Sequence, residues 1–503
     1  MNAIINNDSP NSTIQARVRG MPYHLLIVTW CWIAVVTTLI AISETAVISQ
    51  AHIFLALYCF IIILLRPFRE APLALMLLAI GPNDNLIFFG ALLFFLRSIL
   101  SGKLYIKNNV SGYLFLFFLS LVLCSTMISY LTVEFRPLQT IFWSVTFLIP
   151  ITLCVAHFKY MFDGLAVAKY GTMLISMQIL PVIAAIPSYI KVGSPDVFGG
   201  TWLDADIVGF WGTALAVAAF LLFFLGKNIK QGKTKVMSMM AVGAVLSILA
   251  SGKIYSVFII FLGLFFFIKY FRLIQGLLNA KVKSFVFLLV GSIGAIIVIT
   301  TLFTQAGGIQ NWLKYQHEHS HKTIFLDRVF NQMATYNYSN LFGVGPGMLG
   351  SRSANAVSAN ILHKEEMALP KSVQGAPQPE AEILRGLYDK EFQDKIRYMS
   401  ANLVIPFSGI GAMKGEMGWL GLISVVLLFL LLFWPLRVYY HLESVNYQVT
   451  IVYFMATISG LSIVLLSIFD TAWEQPKIMV FLAMLVLAIQ RSNKLMPCIT
   501  NEK

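Results

Sequence analysis

The sequence predicts an all-α polytopic membrane protein, and three observations predict it. Of its 503 residues 58% are hydrophobic and 12% charged, against roughly 45–50% apolar residues in soluble domains. Apolar runs of about 18 residues or more recur along the chain, each long enough to cross a hydrocarbon layer about 30 Å thick as a helix that satisfies its own backbone hydrogen bonds. The charges between those runs are unevenly shared, with the bias that orients membrane proteins.

Taken in order, the predicted spans are Leu25–Ile42, Ile48–Leu65, Ala71–Gly81, Asn85–Leu100, Tyr113–Tyr130, Leu138–His157, Leu165–Tyr189, Ala205–Leu225, Val236–Ala250, Ile254–Phe271, Ser284–Phe303, Gly418–Leu436, Gln448–Ile468 and Pro476–Gln490. The first run follows a polar stretch, is too long for a secretory h-region and lacks a small-residue cleavage site, so it reads as a retained span. Ala71–Gly81 is the weak member. It is too short to cross at about 1.5 Å per residue and ends on the breaker Gly81-Pro82-Asn83-Asp84-Asn85, which points to a tilted half-helix.

With a cytoplasmic N-terminus, inner loops and tails take 21 Lys and Arg, while the short outer loops keep only Arg136, Lys191, Lys253 and Lys477. This places both termini in the cytoplasm and the long segment from Gln305 to Met417 outside. The chain then divides into a first part of the bundle (1–303), a long extracytoplasmic loop (304–417), and three last spans with a tail (418–503). The long segment holds 11 Lys and Arg against 10 Asp and Glu, so the net charge of +13 orients the chain and builds no surface for nucleic acid. Cys31, Cys59, Cys124 and Cys154 fall in apolar runs and Cys498 in the tail, a pattern without a disulfide framework.

Within the long segment, His317 to Asn340 has the pattern of an amphipathic helix bearing Arg328. There follows Phe342-Gly343-Val344-Gly345-Pro346-Gly347-Met348, a tight backbone path that a Cβ obstructs. Such a turn can present N–H groups to an anion, and Arg352 follows closely; the plainer reading is a rigid turn between amphipathic elements. His317, Glu318, His319 and His321 are of metal-ligating type, but without a further convergent ligand a solvated helix face is preferred and no metal is expected. Asp470 and Glu474 fall in the outer turn before the last span. Trp202, Trp211, Trp312, Trp419 and Trp473 lie near the outer boundary, where an aromatic belt accounts for them. The apolar run Leu403 to Ala412 is too short to span and reads as re-entering the outer leaflet.

Arg328 followed by Phe342-Gly343-Val344-Gly345-Pro346-Gly347 resembles the O-antigen ligase and O-antigen polymerase family, in which an arginine on an amphipathic helix precedes a GVGPG turn. Gly199-Gly200-Thr201-Trp202-Leu203-Asp204-Ala205-Asp206 is similar to that family's glycine-aromatic-Asp-x-Asn signature, and Ser251-Gly252-Lys253 resembles its Ser-Arg element between two spans. Lys414-Gly415-Glu416-Met417-Gly418-Trp419-Leu420-Gly421 resembles its ExGxxG element. The four stretches occur in the family's order on one predicted face. Departures are Asp206 for Asn, Lys253 for Arg, and Pro406-Phe407-Ser408 where the ligases carry a His-Asn pair.

The resemblance implies a C-type glycosyltransferase-like helical bundle. It would transfer glycan from undecaprenyl diphosphate at the outer face of a bacterial inner membrane, with no cofactor and no nucleotide sugar. Its partners would be a lipid-linked glycan donor and acceptor, membrane lipids and a chain-length-regulating copolymerase. The departing diphosphate needs cations, for which Arg328, Lys253 and Arg352 are candidates, followed by Arg385 and Arg397. Glu416 and Asp206 are candidate carboxylates for the acceptor hydroxyl and its proton, and Gly343, Gly345 and Gly347 shape the turn. The missing histidine favours a polymerase of lipid-linked repeat units over a ligase handing finished glycan to lipid A core. A transporter or flippase of the same units is the alternative of another class, against which stand the absence of a clear internal repeat and the scarcity of charge in the spans.

Overall fold

A computed structural model describes residues 21–106, 108–132, 136–158, 163–193, 195–225, 232–250, 259–265, 321–351, 378–383, 408–433, 447–468 and 472–492. Among them, eight helices are long and apolar enough to cross a membrane, which makes the chain a polytopic membrane protein. These are α1 (Tyr23–Ala41), α2 (Thr45–Leu65), α5 (Val110–Thr132), α6 (Pro137–Val155), α7 (Gly164–Ala184), α9 (Ala205–Leu225), α13 (Gly409–Phe433) and α14 (Tyr447–Leu466). Shorter helices complete the bundle: α3 (Ala71–Ala79), α4 (Asp84–Leu100), α8 (Ile186–Val192), α10 (Lys233–Leu249), α11 (His321–Asp327), α12 (Gln378–Ile383) and α15 (Pro476–Ser492). The one sheet among the described residues pairs β1 (Leu104–Tyr105) with β2 (His157–Phe158) antiparallel, Leu104 opposite Phe158. The predicted span Ser284–Phe303 lies outside the described residues, and of Ile254–Phe271 only 259–265 is described, as helix.

The weak third span is a buried half-helix. All nine residues of α3 are buried, and at about 1.5 Å per residue it rises only partway through a bilayer. Its end is held by His52 of α2: Nε2 lies 3.3 Å from the Leu78 carbonyl, and Nδ1 accepts the Asn83 N–H at 3.3 Å. That pair of partners assigns the neutral tautomer with the proton on Nε2. Gly81 is required beside this ring, because a Cβ there would sit 1.8 Å from His52 Nε2. Asn83 then caps α4, its Oδ1 accepting from Asn85 N and Leu86 N at 3.1 and 3.3 Å, which satisfies first-turn donors. So α3 and α4 make one excursion and return to the end where α2 stops.

Charge sorts to the two ends of the bundle. At the end where α2 stops, Arg97 near the end of α4 donates from Nη2 to the Arg66 carbonyl at 2.7 Å and from Nη1 to the Ile63 carbonyl, closing carbonyls that a helix C-terminus leaves open. Arg97 and Lys103 both stand over the Phe68 ring, at 5.3 and 4.9 Å. At the opposite end, Lys477 in the first turn of α15 pairs with Asp84 at 3.4 Å and donates to the Trp202 carbonyl at 3.2 Å.

The interior is packed through small residues. A Cβ on Gly243 of α10 would lie 2.6 Å from the Ala216 backbone nitrogen of α9, and one on Gly212 would lie 2.6 Å from Leu246 Cβ. Such small-residue contacts let helix backbones approach closely in a membrane. Thr213 Oγ1 donates to Ser247 Oγ across this interface at 2.7 Å. The aromatic-belt expectation is corrected for three tryptophans: Trp202, Trp211 and Trp473 are fully buried, because Trp202 donates to the Ala79 carbonyl of α3, Trp211 packs on Phe481 of α15, and Trp473 packs between Phe147 and Phe429. Trp419 is exposed, and Trp312 lies outside the described residues. Gly243→Val should strike the α9 backbone and lower the unfolding midpoint of the detergent-solubilised protein, a loss of about 1–3 kcal/mol. An unchanged midpoint would refute the close contact.

Candidate functional site

Helix α13 is broken at Gly418, whose backbone (φ 68°, ψ −171°) lies in a region essentially reserved for glycine. The predicted loop-to-span boundary at 417/418 coincides with this break, yet the residues before it, from Gly409, are themselves helical and buried. The tail of the apolar run Leu403 to Ala412 thus belongs to a helix, while 403–407 lie outside the described residues. A break inside an apolar helix frees carbonyls on one side and N–H groups on the other.

The glycine-rich turn fills both needs. Val344 N and Gly345 N donate to the Gly415 and Glu416 carbonyls at 2.9 Å each, and Trp419 N and Leu420 N donate to the Asn340 and Leu341 carbonyls at 2.9 and 3.3 Å. Ser125 Oγ of α5 lies 2.7 Å from the Phe342 carbonyl and 2.9 Å from the Glu416 carbonyl. The three alternate glycines have φ of 74°, 110° and 78° at Gly343, Gly345 and Gly347. A Cβ on Gly343 would lie 2.3 Å from the Glu416 backbone, and one on Gly347 would lie 2.6 Å from the Gln139 carbonyl. The expectation that this turn offers its N–H groups to a bound anion is corrected. The Gly343 N–H goes to Ser339, and those of Val344 and Gly345 to the broken helix.

The acidic group this turn does hold is the chain's own Glu416. Its carboxyl is fully buried; Oε1 accepts the Leu349 N–H at 3.1 Å, and Oε2 has no hydrogen-bond partner. Ser351 and the Gly347 N–H bear on the same carboxyl, as does the charge of Glu474, itself buried. Two residues earlier, Lys414 is buried with its Nζ 3.0 Å from Asn340 Oδ1 and 3.5 Å from the Val329 carbonyl. It also stands 5.5 Å from the centre of the Trp419 ring. Sequence reading did not single out Lys414 as a site; the available signal was an ionisable group directly after the apolar and glycine run Gly409-Ile410-Gly411-Ala412-Met413.

The amphipathic element is helical from His321 through Tyr336, with a π-helical turn at Arg328–Gln332. Phe325, Val329 and Met333 form its buried stripe, at the i, i+4 spacing of one helix face. Phe325 packs on Gly411, where a Cβ would lie 2.7 Å from the ring. Arg328 is half-buried and donates from Nη1 to the Ile383 carbonyl of α12 at 2.6 Å. The segment is thereby clamped to α13 through Lys414 and to α12 through Arg328.

Asp206 lies half-exposed in the first turn of α9. The capping carboxylate there is Asp204, which accepts the Ile207 N–H at 3.3 Å. The preceding Gly200-Thr201-Trp202 turn is fixed by Gln178 Oε1, which accepts the Thr201 N–H and hydroxyl at 3.0 Å each, and by Trp202 Nε1 donating to the Ala79 carbonyl at 2.8 Å. Residues 472–477 link this turn to the other stretch, with Glu474 beside Glu416 and Lys477 on Trp202. Two of the four resembling stretches are therefore mated directly, and a third lies at the same end of the bundle. Lys253, Arg352, Arg385 and Arg397 lie outside the described residues, as do 317–320 and Asp470.

No protein family, curated protein or solved structure matches the chain. Functional argument therefore starts from the residues themselves.

Gly418→Ala should place a Cβ 2.1 Å from the Leu341 carbonyl and destabilise the protein by about 1–3 kcal/mol, measured as a lower unfolding midpoint. Glu416→Gln keeps the acceptor for Leu349 N–H and should melt near the wild type, whereas Glu416→Ala leaves that donor buried and unpaired, a loss of about 1–3 kcal/mol. Equal midpoints for the two Glu416 variants would remove the carboxyl from the turn's support.

Proposed function

We propose that the protein is a polymerase of lipid-linked oligosaccharide repeat units, moving a growing glycan from undecaprenyl diphosphate onto a sugar hydroxyl of the next lipid-linked unit. One observation carries this reading. The Phe342–Gly347 turn and the Lys414–Gly421 element, which resemble two separate elements of the O-antigen polymerase and ligase family, form one unit joined by two backbone hydrogen bonds, with two more accepted by Asn340 and Leu341 just before the turn. A joint of this kind gives both stretches a common purpose, and it stands at the end of the bundle that the charge bias assigns to the outer face.

In the reaction, the acceptor oxygen forms a bond to the anomeric carbon while the bond from that carbon to the diphosphate oxygen breaks. The electron pair leaves with undecaprenyl diphosphate, and the acceptor proton passes to a base. Cations must meet the leaving group. Arg328 is the described candidate, with Lys253, Arg352, Arg385 and Arg397 as the further ones. Of the two carboxylates, Glu416 is enclosed and supports the turn, so Asp206, half-exposed at the start of α9, is the better placed to take a proton.

A second reading, translocation of the same lipid-linked units, draws on a different observation. The break in α13 and the half-helix α3 beside the buried His52 and Lys477 and the half-buried Asp84 are discontinuous helices of the kind at which transporters hold cargo. Both readings are separated from the ligase by one measurement. Deleting the gene and resolving the cell's glycolipids should leave single repeat units on the carrier at the outer face for a polymerase. Units trapped inside would mark a translocator, and full polymer stranded on the carrier a ligase.

Arg328→Ala and Arg328→Lys should each cut polymer severely at normal protein level, since a forked contact to diphosphate tolerates neither change. If protein level falls in step with polymer, Arg328 serves only to pin the Ile383 carbonyl.

A further inference from the structure

Beside the mated turn lies a cleft of about 610 Å³ that the catalytic proposal leaves unused. Its volume falls within the roughly 300–1,000 Å³ of small-molecule sites. Tyr336, Tyr338, Ser339, Gln378 and Glu382 line it from the loop, and Ile128 closes it from α5. Ile128 sits in the last turns of an apolar helix, so the cleft opens where that helix meets the loop.

The polar groups are held in place before any ligand arrives. Tyr338 donates its hydroxyl to Glu382 Oε2 at 2.5 Å, and Gln378 Nε2 donates to Glu382 Oε1 at 3.0 Å. Burial, and then the neighbouring Glu382, push the Tyr338 phenol above its ordinary value, so it stays a protonated donor at neutral pH. Among the described residues the lining carries one carboxylate and no cation, which disfavours a diphosphate; its polar rim disfavours an acyl chain. Tyrosine rings with a fixed carboxylate and amide suit a ring that has C–H faces and equatorial hydroxyls.

We propose that this cleft is a saccharide subsite, holding an uncharged, hydroxyl-rich sugar of the lipid-linked glycan while the carrier stays in the bilayer beside α5. This rests on the polymerase reading for its ligand. Gly343 forms part of the cleft wall and abuts the Glu416 backbone, so a bound sugar lies one backbone layer from the joint that organises the site.

The test uses the full-length protein in nanodiscs and, as probe, the repeat-unit oligosaccharide released by mild acid from the host's own surface polysaccharide. Saturation-transfer NMR should show contact to the sugar ring protons. Tyr336→Ala and Glu382→Gln should each weaken binding about tenfold, the equivalent of about 1.4 kcal/mol. Gln378→Ala, at an exposed position, should weaken it with no change in unfolding midpoint, which keeps the test valid if the other variants fold poorly. No transfer to the wild type, or equal affinity in Gln378→Ala and wild type, overturns the subsite. Binding through the cleft in a protein whose deletion strain still makes full polymer would uphold the subsite and remove the polymerase. Single units in the deletion strain without binding at the cleft would do the reverse.

Discussion

The backbone joint at Gly418 is the constraint on which the described site depends. An apolar helix interrupted within a bilayer exposes peptide groups that lipid cannot satisfy, each at a cost of several kcal/mol. Here the segment Asn340–Gly345 supplies two N–H donors and two carbonyl acceptors to the two broken ends. Gly343 and Gly347 must be glycine because the surfaces opposing them are themselves backbone, Glu416 and Gln139, while Gly345 abuts the Ser129 side chain. The loop is thus fastened to the bundle by main chain, and its side chains are left to do other things.

That fastening explains the unusual company of buried ionisable groups. Lys414 and Glu416 both precede the break, one turned toward the amphipathic element through Asn340 and Val329, the other toward Leu349 on the far side of the turn. Each is satisfied in part by backbone. His52 secures the half-helix α3 by the same means, a side chain closing a helix end inside the bundle, while Lys477 pairs with Asp84 at the start of α4. Buried charge in a membrane protein commonly marks function, and in this chain part of it is explained by helix ends that need partners.

Under the proposed function, chemistry divides by sign. Cations answer to a departing diphosphate, Arg328 being the described one, whereas the cleft of Tyr336, Tyr338, Gln378 and Glu382 presents a carboxylate and an amide to hydroxyls. Charge selection and sugar selection then rest on different side chains, so that a change of sugar requires no change in how the carrier phosphate is met.

Hydropathy and charge, read along the chain, determined that the chain is polytopic, the weakness of Ala71–Gly81 and a boundary at 417/418, because each of these is a property of a continuous stretch; that helix continues on both sides of that boundary was not legible. The amphipathic helix bearing Arg328 was legible for the same reason, through the spacing of Phe325, Val329 and Met333. Tertiary structure alone decided that the Gly343–Gly347 turn closes the break in α13, that Glu416 faces Leu349 67 residues away, and that Trp202, Trp211 and Trp473 face inward. Backbone hydrogen bonds carry no residue identity. A glycine pattern can therefore announce that another chain segment must come close, while the partner is chosen only when the bundle brings two sets of unsatisfied peptide groups together.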